Sequence, residues 1–222
     1  MTVEDAINSR RSVRAFRPDT VDLDLLQRLL LTAGRSPSGG NLQPWRIHIL
    51  HGERLAGFKQ LMAGRLEEAP AGEEAEYPIY PAPLDDPYLS RSAEIGHVLY
   101  SSLGVARDDK AARRKWFVRN YEFFGAPIGL FCFVDRLCGS AQWSDLGMYL
   151  QTLMLLLRAH GLDSCAQECW ALYHRTISSA LAIPTDQMLF CGMSIGYADK
   201  DHPANRIQSP RIAPDDFITV HG

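Results

Sequence analysis

A chain of 222 residues, 46% hydrophobic and 22% charged, has the apolar mass to bury a sizeable core and fits a single domain over 1–222. Its net charge of −3 gives no general pull toward nucleic acid or an anionic membrane, which argues against a polyanion-binding protein. The longest unbroken apolar run, Leu153 to Leu157, is too short to cross a bilayer and no charged-then-apolar leader opens the chain, so a soluble, cytoplasmic protein is expected. The five cysteines at 132, 138, 165, 169 and 191 form an odd set without a C-x-x-C pair and read as reduced, buried thiols.

Thr2 with Asp5 three residues on makes a capping box, and Val3, Ala6 and Ile7 supply a stripe for a first helix ending near Ser9. Arg10-Arg11-Ser12-Val13-Arg14 follows. If extended, it turns Arg10, Ser12 and Arg14 to one side and Arg11 and Val13 to the other, making an anion clamp. Forked, permanently charged guanidinium groups suit a phosphate or an electron-rich heterocycle. Asp22 caps a second helix whose Leu25, Leu26, Leu29, Leu30 and Ala33 share a face, and Gly34 ends it. The loop from Ser36 to Pro44 then combines small residues, which let backbone approach a ligand, with amides and hydroxyls for polar ring edges. Trp45 to Leu50 alternates as a strand, with His48 on its exposed side.

Residues 53–69 are weakly helical. From Ala69 to Pro87 come five prolines, several acids and interspersed tyrosines, and a long structureless stretch of this kind reads as a lid-like insert around 69–90. Ser90 caps a helix through Ile95, Val98, Leu99 and Leu103 that Gly104 stops, and Asp108 or Asp109 starts another, with Arg113, Arg114 and Lys115 as its solvated face. Ile128 to Val134 reads as a central strand. Ser144 caps the most apolar helix, through Leu157; apolar nearly all round, it needs cover on several sides and points to a helical dimer interface. A strand and loop at 163–169, a helix from about Ala171 to Leu181 and a core strand from Leu189 to Tyr197 follow. The arm 200–222 ends in Phe217, Ile218 and Val220, too apolar to dangle.

Together, Arg-Arg-Ser-Val-Arg-x-Phe and Pro-Ser-x-x-Asn-x-Gln-Pro-Trp resemble the FMN-dependent nitroreductase family, and the likeness covers nearly the whole chain. The resemblance implies an α+β fold: a central, mostly antiparallel sheet flanked by helices, in an interlocked homodimer with C-terminal strand exchange. It implies FMN as cofactor and NAD(P)H as transient electron donor. A small nitroaromatic would be reduced to the nitroso and hydroxylamine levels by a ping-pong mechanism, with no catalytic side chain because flavin itself does the chemistry. Arg10, Arg11, Ser12 and Arg14 correspond to cofactor contacts, and Pro37, Ser38, Gly39, Asn41 and Gln43 to those supplied by the second subunit. Ala166, Gln167 and Glu168 fall in the segment whose backbone approaches flavin N5. Arg211 matches a late phosphate-binding arginine, while Ser209 stands where many members carry lysine. Within the 69–90 insert, Tyr-Pro-x-Tyr-Pro looks like the branch acting on substituted nitrobenzenes. Tyr88, Phe124 and Trp143 are candidate aromatic walls for the substrate. The same scaffold hosts reductive dehalogenases and enone reductases, and a non-catalytic flavin-binding protein is the alternative outside enzymes.

Two other patterns are set aside. Gly192-Met193-Ser194-Ile195-Gly196 matches G-x-S-x-G, but no helix follows promptly to form the strand-to-helix turn that would expose the serine. Cys165, Cys169 and His174 lack zinc-ligand spacing and a fourth ligand, so no metal is expected. No G-x-G-x-x-G occurs, so a nicotinamide donor would have to visit the substrate's own cavity.

Overall fold

The computed structural model describes residues 1–222 and has one four-stranded antiparallel sheet between two helical layers. The strands are β1 (Arg46–His51), β2 (Ile128–Asp135), β3 (Asp163–Gln167) and β4 (Gln187–Gly196), in the order β1-β2-β4-β3. The helices are α1 (Val3–Ser9), α2 (Leu23–Ala33), α3 (Gly52–Glu68), α4 (Tyr88–Ser102), α5 (Lys110–Val118), α6 (Ser140–Ala159) and α7 (His174–Ala180). No helix is long and apolar enough to cross a membrane.

The pleat of β2 divides the core. Leu130, Cys132 and Val134 face a layer built from Leu26 and Leu29 of α2 and Leu146, Leu153 and Leu157 of α6. Phe131 and Phe133 face an aromatic layer with Phe58 and Met62 of α3, Phe123 and Trp170. Both strand faces are therefore dry, which is why Ile128 to Val134 carries no polar side chain. Gly192 of β4 leaves room for the Trp170 ring, while Gly196 lies against Pro127 and Phe16. These glycines of the G-x-S-x-G run serve packing, and Ser194 between them is fully buried and donates to Gln167 Oε1 at 2.6 Å.

The segment after α1 is stitched to the sheet's far edge. Ser12 bridges Ser164 of β3 in parallel, and Phe16 bridges Ala198 just past β4. Val13 N–H donates to the Ser164 carbonyl at 3.1 Å and Arg17 N–H to that of Tyr197 at 2.9 Å. The arginine cluster is thus extended and Val13 is buried, as its alternation predicts, but Arg11, expected on the side of Val13, shares a cavity with Arg10, Ser12 and Arg14.

Several local expectations are corrected. α6 begins at Ser140, not at Ser144: Gln142 Oε1 reaches back to the Gly139 N–H at 3.1 Å, an arrangement that needs no capping side chain at Gly139. Ser90 lies inside α4, and Asp86 Oδ1 accepts from both its N–H and its hydroxyl. His48 is half-buried, its ring edge-on to Phe133 at 5.3 Å. Arg113 stacks on Tyr100 at 4.0 Å and Arg114 bonds the Pro70 carbonyl, so that face is not simply solvated. The final helix begins with a 3-10 turn, Glu168–Tyr173, before α7.

The insert is fixed along its first half. Glu73 accepts from Thr176 Oγ1 at 2.6 Å and Arg175 N–H at 2.8 Å, Glu76 meets His174 Nδ1 at 3.1 Å, and the Tyr77 hydroxyl bonds the Phe190 carbonyl. Its second half runs largely exposed to Tyr88, itself 63% exposed at the start of α4, a helix with no buried residue. The C-terminal arm leaves Phe217, Ile218 and Val220 exposed, and β1 has one hydrogen-bonding edge unpaired.

Candidate functional site

The extended cluster, α1, α6 and the C-terminal arm enclose a cavity of about 660 Å³. Arg10, Arg11, Ser12, Arg14, Ser209 and Arg211 all line it, so the structure unites the early and late guanidinium groups. No carboxylate is among the lining side chains, and four arginines therefore converge without an acidic counterpart. Such a basin favours a bound anion, and both Arg14 and Arg10 are near enough to Cys165 to pull its thiol pKa down, against the burial that raises it. Arg14 bonds the Ser12 carbonyl at 3.3 Å, and Arg211 the Pro210 carbonyl at 2.8 Å.

Four polar lining residues carry no signal in the sequence: Asn8, Gln151, Asn205 and Gln208. Asn205, from a 3-10 turn of the arm, accepts from Arg14 N–H and donates to the carbonyls of Ala15 and Asp199, each at 2.7 Å. It fastens the late arm to the early cluster.

From Ser164, beside Ser12, β3 carries the chain roughly 10 Å to its end at Gln167. There Ala166 and Glu168 are exposed, while the Gln167 side chain turns inward, donating to Asn120 O at 2.8 Å and accepting from Ser194. Gln167 can therefore meet a ligand only through its backbone.

Pro37, Ser38, Gly39, Asn41 and Gln43 do not line the basin. Their turn lies on α6, with Gly39 N–H donating to Asp145 Oδ1 at 3.1 Å and Gln43 N–H to Ser38 Oγ at 3.0 Å. Gly40, Asn41 and Gln43 all have left-handed backbone, at φ 57°, 58° and 49°. The candidate aromatic walls diverge. Trp143 is half-buried and edge-on to Tyr77 at 5.0 Å, Tyr88 is open to solvent, and Phe124 is 1% exposed. The Phe124 expectation is corrected: its ring is buried in the core, tilted toward the half-buried Trp116 at 6.4 Å, and offers no surface to a substrate in this chain.

A second cavity, about 700 Å³, lies between α3 and α5, but its Lys59 and Arg114 are matched by Glu67 and Glu122, so it lacks the basin's uncompensated charge. No three His, Cys, Asp or Glu side chains converge as metal ligands.

A family model described as the nitroreductase family matches residues 7–197, most of the chain and including both the cluster and the turn. The chain belongs to the nitroreductase family. It is 34% identical to the nitrobenzene nitroreductase of Ectopseudomonas oleovorans over 99% of this chain and 97% of that one. It is 35% identical to the 4-nitrobenzoate reductase of Pseudomonas putida over 97% and 94%. Among solved structures, the FMN- and NADPH-dependent nitroreductase NfnB of Sphigopyxis sp. strain HMH superposes with a TM-score of 0.97 at 47% identity, over the full length of both chains. NfnB from Mycobacterium smegmatis, solved in complex with NADPH, gives 0.92 at 30% identity, over 99% of this chain and 97% of that one. The nitroreductase fold expected from the two motifs is the fold observed.

The donor set fits a phosphorylated flavin. Uncompensated arginines and the Ser12 hydroxyl suit a phosphate and polar ring edges, and the open end of β3 offers backbone groups at a distance along the same strand.

Proposed function

We propose that this nitroreductase-family chain is an FMN-dependent oxidoreductase passing electrons from NAD(P)H to small nitroaromatic compounds, as a homodimer with its sites at the subunit interface. The observation that carries the reading is the basin of four arginines without a carboxylate, shared by the two ends of the chain. The relatives named for nitrobenzene and 4-nitrobenzoate reduction support the substrate class. The two FMN-dependent neighbours support the cofactor.

When bound, FMN supplies the hydride and electron chemistry that takes a nitro group to the nitroso and then the hydroxylamine level. Arg10, Arg11, Arg14 and Arg211 would hold the phosphate and ring edge, with Ser12 and Ser209 offering hydroxyl groups from the same lining. Ala166, Gln167 and Glu168 would offer backbone groups to the ring. The same guanidinium groups would supply positive charge beside whatever part of the cofactor gains negative charge. Pro37, Ser38, Gly39, Asn41 and Gln43 reach the cofactor from a second copy, which accounts for their separation from the basin within one chain. The exposed Phe217, Ile218 and Val220 and the open edge of β1 support strand exchange between copies. Tyr88 and Trp143 serve as aromatic walls, and the exposed stretch from Tyr80 to Pro87 acts as the movable part of the lid. With no separate dinucleotide motif, donor and acceptor take turns in one cavity, a ping-pong scheme. Five unbridged cysteines support a cytoplasmic setting.

The test is direct. The purified protein should be yellow, release FMN on denaturation, be bleached by NADPH or NADH, and recover colour on addition of nitrobenzene or 4-nitrobenzoate. A colourless protein that FMN does not reconstitute overturns the proposal, and bound FMN that neither nicotinamide bleaches leaves a flavin carrier instead.

A further inference from the structure

We propose that Asp145 is a positioning residue: its buried carboxylate tethers the backbone of the turn 38–43 in the shape in which that turn meets a cofactor. The inference deepens the proposed two-chain FMN site and rests on it.

Asp145 lies in the second turn of α6 and is 3% exposed. Its Oδ1 accepts from the Gly39 N–H at 3.1 Å; its Oδ2 is buried without any hydrogen-bond partner, and no Lys, Arg or His forms an ion pair with it. Burying a carboxylate with one of its oxygens unsatisfied costs stability, and an apolar side chain at this place would avoid that cost. What the carboxylate provides is a fixed point for Gly39. The turn it holds has three residues with left-handed backbone, two of them not glycine, a conformation the chain keeps only where its surroundings impose it.

A second tie comes from the same helix. The Ser36 hydroxyl donates to Thr152 Oγ1 at 2.9 Å, and Thr152 stands two helical turns beyond Asp145 on the same face. Gly39 itself lies in an exposed turn and this bond is its one tie to the Asp145 side chain, so its loss falls first on the turn's shape.

The experiment compares Asp145→Leu and Asp145→Asn with the wild-type full-length protein by hydrogen exchange, FMN affinity and thermal unfolding. In Asp145→Leu, the amides of residues 39–41 should exchange at least tenfold faster and FMN should bind at least tenfold more weakly, with a melting temperature no lower than wild type. Asp145→Asn keeps an acceptor at Oδ1 and should restore both. Unchanged exchange at 39–41 in Asp145→Leu overturns the tether. A fall in melting temperature with faster exchange throughout both variants also overturns it, since the carboxylate would then hold the fold and not the turn. Faster exchange confined to 39–41 with unchanged FMN affinity upholds the tether and overturns the cofactor role assigned to the turn.

Discussion

The side-chain oxygen of Asn205 accepts a hydrogen bond from the backbone N–H of Arg14 at 2.7 Å, across 191 positions of sequence. This contact, with the two that the same amide donates to Ala15 and Asp199, makes the anion basin a joint product of both ends of the chain. Asn205→Ala should destabilise the protein by about 1–3 kcal/mol, the range for leaving part-buried backbone groups without partners. It should also loosen flavin retention about tenfold although it removes no charge. Urea unfolding and dialysis against flavin-free buffer read the two effects.

Arg14→Ala and Arg211→Ala remove charge from the basin's two contributors, and neither side chain forms an internal salt bridge that would be orphaned. Each should weaken FMN binding by tenfold or more while shifting thermal stability little, because truncating an unpaired, part-exposed cation strands no buried partner. Unchanged FMN affinity in both variants contradicts the assigned role.

His48 loses part of its hydration in β1 under Phe133, and that burial lowers its pKa. A histidine held neutral in the fold contributes fully above its unfolded pKa, about 6.5, and its contribution is lost as pH falls through that value, because only the unfolded chain takes up the proton there. Unfolding midpoints should therefore drop from pH 7 to 5.5, and the drop should be shallower in His48→Phe.

The thiols act at the other end of the scale. Burial pushes Cys191 up to about 12 and raises Cys132 and Cys165, so these groups stay protonated in the fold while unfolded thiols ionise above about pH 8.5. The unfolded state then binds fewer protons, and stability should decline as pH rises past that value. In the native protein a disulfide reagent at pH 8 should modify Cys138 first, with all five reacting only after denaturation.

Removing residues 213–222 takes away Phe217, Ile218 and Val220 and, under the proposed strand exchange, the cover for the open edge of β1. The shortened chain should elute as a monomer or aggregate in size-exclusion chromatography. Retention of an intact dimer would place the interface elsewhere.

Most of the fold and the basin were readable in advance because their signals are local. Thr2 with Asp5, Asp22 and Asp109 cap helices through side chains within three residues, and Arg10 to Arg14 declare their charge and alternation outright. What stayed hidden depends on distant partners. Ser144 resembled a cap, but the start of α6 is set by Gln142 reaching backward, and Phe124 resembled a site aromatic only until its left-handed backbone turned it into the core. Gln167 carries no mark that Ser194 and Asn120 will claim its amide, nor Asn205 that it will meet Arg14. The Gly192–Gly196 pattern misleads for the same reason: its glycines answer to Trp170 and Pro127, which sequence does not place beside them.

Helix α6 has a double employment. One flank brings Gln151 to the arginine basin, while another holds Gly39 of the 38–43 turn through Asp145 and Ser36 before it through Thr152. A slip of one residue along its axis, about 1.5 Å, would misalign both at once. In a paired assembly, a mutation that shifted this rod as a whole would disturb the basin and the turn together, whereas one that exchanges a single side chain on either flank would not.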